Sequence, residues 1–120
     1  MKVLIIEDDL ALSKMYEAKF SFSGFEVITA YNGEDGLKFA VEQNPDVILL
    51  DMMLPKITGD ILVQKLHDNA STSTIPIVVL TNLAQQIKAR QMENLGVKEY
   101  LAKAMFTPEQ VVEKVKKYIS

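Results

Sequence analysis

Asp46-Val47-Ile48-Leu49-Leu50-Asp51-Met52-Met53-Leu54-Pro55 decides how the rest of the chain is read. Four apolar residues run without a break into a carboxylate. A strand with one wet face alternates apolar and polar side chains. One that does not alternate must be covered on both faces, the habit of parallel sheets flanked by helices. Residues 3–6 and 77–80 form two more runs of this kind. Asp51 is then the first residue to emerge at the rim of a buried sheet. By the same reading Met52, Met53 and Leu54 line the mouth of whatever lies there and shield it from water.

Between these runs the apolar period changes to that of a helix. Leu12, Met15, Tyr16 and Phe20 recur at helical spacing over 11–22, with Asp9 placed to cap the start and Gly24 the end. Residues 25–30 alternate like a strand, and Asn32-Gly33 is a turn signal. Leu37, Ala40 and Val41 share the next helical face, which Asn44-Pro45 terminates. A helix over 58–67 carries Leu62, Val63 and Leu66, and a polar loop covers 71–74. Residues 83–95 are helical in pattern with Gly96 as the stop, and 97–102 make a short strand. Thr107-Pro108 opens the last helix, Thr as cap and Pro in the first turn. Five strands alternating with five helices predict a doubly wound α/β fold with helices on two faces of a parallel sheet.

The chain has 120 residues, 48% hydrophobic and 24% charged, so a single domain spanning 1–120 is expected. A net charge of −3 argues against non-specific binding to nucleic acid or an anionic membrane. With no cysteine there are no disulfides or thiolate metal sites, which suits the cytoplasm. No apolar run approaches a membrane span, and the N-terminus enters a strand at once, so no leader is expected.

In an open parallel sheet, ligands bind outside the carboxyl ends of the strands. The first run ends in Glu7-Asp8-Asp9, the third strand in Asp51, the fourth in Thr81 and the fifth in Lys103. Carboxylates crowded on one edge repel each other, and a hard divalent cation relieves the conflict. Oxygen donors suit Mg²⁺, or Mn²⁺, and no Cys or nearby His suggests zinc. A metal, an ammonium and a hydroxyl around one carboxylate suit phosphoryl transfer. Asp51 is the candidate nucleophile, and the cation, Lys103 and Thr81 would hold the phosphoryl oxygens.

The stretches V-L-I-I-E-D-D, V-I-L-L-D-M-M-L-P-K-I-T-G, I-V-V-L-T and Y-L-A-K resemble the receiver domain of two-component response regulators, of the chemotaxis type. Asp51 lies 30 residues before Thr81 and 52 before Lys103, as in that family. The resemblance covers the whole chain and implies a flavodoxin-like sheet in strand order 2-1-3-4-5. It makes Asp51 the phosphoacceptor, charged by a histidine kinase or phosphotransfer protein. It makes Glu7, Asp8, Asp51 and the backbone carbonyl of Met53 the metal ligands. Thr81, Lys103 and the backbone of Asn82 become the phosphate-binding groups, and Thr81 and Tyr100 the switch pair. That pair would report to a target through the face of the fourth helix, fifth strand and fifth helix. The chain would be a monomer, or a dimer once phosphorylated, and a switch rather than an enzyme. Two positions depart from the family: Asn82 where a small residue is usual, and Ala104 where proline usually follows the lysine in a cis peptide. A trans peptide and a differently shaped loop are expected after Lys103.

Other readings compete. Asp8 and Asp9 could only cap a helix, Tyr100 could only pack an edge, and His67 reads as a solvated helix residue. A receiver-like interaction module that has lost phosphorylation is the alternative function. A dehalogenase-type phosphatase would want a second Asp where Met53 stands, and a P-loop glycine motif is absent. A flavin's phosphate would meet Glu7-Asp8-Asp9 and be repelled.

Overall fold

A computed structural model describes residues 1–54, 57–82 and 93–119. Its strands are β1 (Lys2–Ile6), β2 (Glu26–Ala30), β3 (Val47–Asp51), β4 (Ile77–Thr81) and β5 (Val97–Ala102). Its helices are α1 (Leu10–Phe22), α2 (Gly33–Gln43), α3 (Gly59–Asp68) and α4 (Pro108–Lys116), with short 3-10 turns at Glu93–Leu95 and Lys103–Met105 on either side of β5. All strand pairs are parallel, in the order β2-β1-β3-β4-β5. Four α-helices are present among the described residues, where five were expected. The helix expected over 83–95 lies outside the described residues up to 92, and 93–95 is a 3-10 turn.

The unbroken apolar runs are covered on both sides, as their lack of alternation required. Leu4, Ile6, Ile48, Leu50, Ile77 and Val79 point into one core with α2 and α3. Val3, Ile5, Val47, Leu49, Val78 and Leu80 point into the other, with α1 and α4. Every residue of β3 and β4 is buried, while the edge strands β2 and β5 are only partly so. The sheet's middle is thus enclosed on both faces, and the strand ends share one carboxyl edge.

The helix ends follow local chemistry. Asp9 accepts from the Leu12 amide at 3.1 Å and caps α1. Gly24, at φ 93°, turns the chain out of that helix in a conformation that costs a glycine little. Thr107 and Gln110 form a reciprocal capping box at α4. Asn44 takes the left-handed conformation, φ 48°, and Pro45 prevents continuation of α2.

Three local expectations change. Asn32-Gly33 is a helix start rather than a free turn: the Asn32 side chain accepts from the Asp35 amide at 2.8 Å, and buried Gly33 is the first residue of α2. In α1 the buried positions are Ser13, Tyr16 and Phe20, so Met15 is turned to solvent. Val41 is likewise exposed, one 100° step beyond the buried Ala40.

Candidate functional site

Glu7, Asp51, Thr81 and Lys103 each follow or end a different strand, β1, β3, β4 and β5, at one edge of the sheet. Parallel topology does this; residues up to 96 positions apart meet. Glu7 and Asp51 are buried, and Thr81 is wholly enclosed. The Lys103 Nζ donates to Asp51 Oδ2 at 2.8 Å and to Glu7 Oε2 at 3.3 Å. The remaining oxygens are tied to the backbone. Asp51 Oδ1 accepts from the Met53 amide at 3.0 Å, and Glu7 Oε1 from the Asp9 amide at 3.2 Å. Asp8 is exposed beside them, and one oxygen each of Glu7, Asp8 and Asp51 lies within 4.8 Å of the others.

Two carboxylates and one ammonium do not balance. Burial, then the hydrogen bond and the charge of Asp51, push the Glu7 carboxyl up to about 7, against the partial relief of Lys103. Burial alone would lower the Lys103 ammonium. Its hydrogen bond to Asp51 and the charges of Asp51 and Glu7 outweigh that and hold it above the ordinary lysine value. A cluster of oxygen donors with excess negative charge is what a hard divalent cation takes. Beside it the Thr81 hydroxyl is buried with no hydrogen-bond partner among the described residues. An unmet buried hydroxyl is costly, so its survival points to a ligand oxygen that completes it.

The sequence expectations divide on contact with this geometry. Glu7, Asp8, Asp51 and Lys103 come together, with Thr81 at the end of the adjacent strand. Asn82 follows Thr81 on the exposed side. Tyr100 packs its ring against the core on the α2–α3 side and hides its hydroxyl from solvent. His67 is exposed on α3, away from these strand ends. No peptide among the described residues is cis; after Lys103 the chain closes a 3-10 turn through Ala104, and the lysine still reaches Asp51.

The shielding expected of residues 52–54 is corrected. Met52 and Leu54 point down into the core, and only Met53 stands at the rim, about half exposed. The reason is the bend after β3. Met52 continues the ladder, donating to the Leu80 carbonyl at 3.1 Å, and its own carbonyl accepts from the Gly59 amide at 3.2 Å. A Cβ on Gly59 would stand 2.7 Å from the Met52 Cα and 2.8 Å from its sulfur. A new Cβ pressed against backbone cannot be accommodated cheaply. Gly59→Ala is therefore expected to destabilise the protein by roughly 1–3 kcal/mol. The urea midpoint at unchanged slope measures this; an unaltered midpoint would show that the loop after β3 relaxes freely. Neither this contact nor the amide bonds from Met53 and Asp9 left a side-chain signal in the sequence.

The model of the response regulator receiver domain matches residues 3–116. The chain belongs to that family. The receiver is 36% identical over 115 residues to the DNA-binding dual master transcriptional regulator RpaA of a Synechocystis strain, covering 96% of this chain and 47% of that protein. It spans about half the length of this and several other curated relatives. Among solved structures it resembles the chemotaxis response regulator CheY4 of Vibrio cholerae: 27% identity, TM-score 0.89, 98% of both chains covered. The receiver domain of the sensor histidine kinase PA1611 of Pseudomonas aeruginosa shares 25% identity at TM-score 0.86, over 98% of this chain and 96% of that one. That structure holds a magnesium ion coordinated in its active-site cleft. Among the receiver's described residues no helix is long and apolar enough to cross a membrane.

Proposed function

We propose that the receiver is a phosphorylation-dependent switch that accepts a phosphoryl group on Asp51 from a phosphohistidine of a histidine kinase or phosphotransfer protein. One observation carries this reading: a buried carboxylate held by Lys103 and the Met53 amide, with two more carboxylates alongside and an unmet hydroxyl at the next strand end. A carboxylate oxygen of Asp51 attacks phosphorus as the phosphorus–nitrogen bond of the donor breaks, and the imidazole leaves with the bonding electrons and takes up a proton. Lys103 and the Thr81 hydroxyl donate to the phosphoryl oxygens, with the Asn82 backbone beside them. Glu7, Asp8, Asp51 and the Met53 carbonyl would hold Mg²⁺ or Mn²⁺, which when bound neutralises the charge that gathers among carboxylates and phosphoryl oxygens. The product stays on the protein, so the chain acts as a switch rather than an enzyme that turns over. Completing the Thr81 hydroxyl would draw Thr81 toward the phosphoryl group and bias Tyr100 on the neighbouring strand, altering a surface that a downstream protein reads. The part of that surface expected from 83–92 lies outside the described residues.

Incubation with acetyl phosphate and Mg²⁺, followed by mass spectrometry, tests this reading. One added phosphoryl group per chain is expected, and a chain that stays unmodified under these conditions is instead a phosphorylation-independent interaction module. Asp8→Ala should weaken Mg²⁺ binding by about tenfold or more, since losing even a residue that only supports a ligand costs tenfold to a hundredfold. Isothermal titration of the unphosphorylated protein measures it. Unchanged affinity would place the cation elsewhere.

A further inference from the structure

The Lys103 ammonium reaches Asp51 and Glu7 from a turn whose own side chains do little to hold it. Lys103–Met105 is a 3-10 turn in which no proline fixes a φ angle. Ala104 and Met105 are both exposed, so neither anchors the turn in the interior. At the near end the constraint is the sheet: Ala102 is buried and stands opposite Thr81 on β4. What holds the far end decides where the stem of Lys103 starts.

Phe106 is the first side chain after the turn to return to the interior, where it packs on the α1–α4 core. Its backbone is extended, φ −130° and ψ 130°, which ends the turn. The next residue begins the capping box of α4. The Thr107 amide donates to Gln110 Oε1 at 2.8 Å, and Thr107 Oγ1 accepts from the Gln110 amide at 3.2 Å. Phe106 thus stands just before the cap, and Val111 is the fourth helical residue. These are the two positions of a hydrophobic staple, which fixes the angle at which a chain enters a helix. Val111 is buried in the same core that receives Phe106. The Lys114 ammonium stands over the ring, 5.9 Å from its centroid. Three residues of chain carry Lys103 to Phe106, a reach of at most about 11 Å. With both ends held, the backbone of Lys103 has little room to move.

We propose that Phe106 is a positioning residue: seated on the α1–α4 core, its ring fixes the far end of the turn and thereby aims Lys103 at Asp51 and Glu7. The purpose of that aim rests on the switch reading; the aim itself does not. If Phe106 only filled the core, its loss would lower stability and leave the direction of Lys103 unchanged.

The test follows Lys103 in the free protein and in the reaction. With ¹³C-labelled lysine, the ε-carbon resonance of Lys103 is the one lost in Lys103→Ala. In Phe106→Ala it is expected to move toward those of the exposed lysines. Phe106→Leu keeps an apolar anchor and should leave it near the parent position. Phosphorylation by acetyl phosphate with Mg²⁺ should slow roughly tenfold in Phe106→Ala, part of the hundredfold or more that one well-placed donor supplies. In a Lys103→Ala background the same change should cost nothing further, a result that a general loss of stability would not give. A folded Phe106→Ala protein with an unmoved Lys103 resonance overturns the proposal, as does a rate loss that persists undiminished without the lysine. If Phe106→Ala fails to fold, a glycine inserted between Met105 and Phe106 keeps the ring but lengthens the tether, and its Lys103 resonance decides in the same way. A parent chain that takes no phosphoryl group would count against the switch reading alone, since the resonance comparison in free protein stands without it.

Discussion

Asp51→Asn is expected to take no phosphoryl group from acetyl phosphate, while its fold is kept. Asp51 is a buried carboxylate that ends the middle strand of the sheet, and both of its oxygens are already positioned, one by Lys103 and one by the Met53 amide. The amide that replaces it has nearly the same shape but lacks a nucleophilic oxygen anion. Loss of modification should be complete within detection, an effect larger than that of any neighbouring change. Lys103→Ala should slow the reaction without abolishing it, since the lysine stabilises charge but supplies no bond. Mass spectrometry of the intact chain, with peptide mapping of the modified site, distinguishes these outcomes. A modified Asp51→Asn chain would assign the phosphoryl group to another carboxylate.

The second large effect is a pH dependence of stability in metal-free protein. Glu7 titrates near 7 in the folded chain against about 4.5 unfolded, so between those values the native state holds a proton that the unfolded chain has lost. Stability from this group is full below about 4.5 and falls as the pH rises to 7 and beyond, by roughly 3 kcal/mol in all. Urea midpoints from pH 4.5 to 8 in the presence of a chelator measure it, with Glu7→Gln expected to flatten the curve over that window. In Asp51→Asn the hydrogen bond and charge that raise Glu7 are removed while its burial remains, so the slope should be shallower but not absent. Mg²⁺ competes with the same proton, and its affinity should climb with pH through the same window. A parent curve as flat as that of Glu7→Gln would mean that Lys103 already neutralises the pair.

The apolar runs beside Glu7, Asp51 and Thr81 were enough to show a parallel sheet, because only a strand buried on both faces loses its alternation. Parallel order then placed the carboxyl ends together, so Glu7, Asp8, Asp51, Thr81 and Lys103 were legible as one site before any distance was known. Caps at Asp9 and Thr107 were legible for the same reason: their chemistry acts within one turn of helix. What sequence alone could not supply was anything carried by backbone groups or by contacts between distant segments. The Met53 and Asp9 amides that orient two carboxylates have no side-chain signature. Met52 and Leu54 looked like a shield but turn inward, Met52 where Gly59 returns against the bend after β3. The register shift of β5 against β4, which leaves Lys98 without a partner on β4, follows from how the two strands pair and is encoded by no local pattern. Period and capping are short-range physics and survive in the sequence; phase, pairing and the unequal burial that raises Glu7 are set only when the layers close on one another.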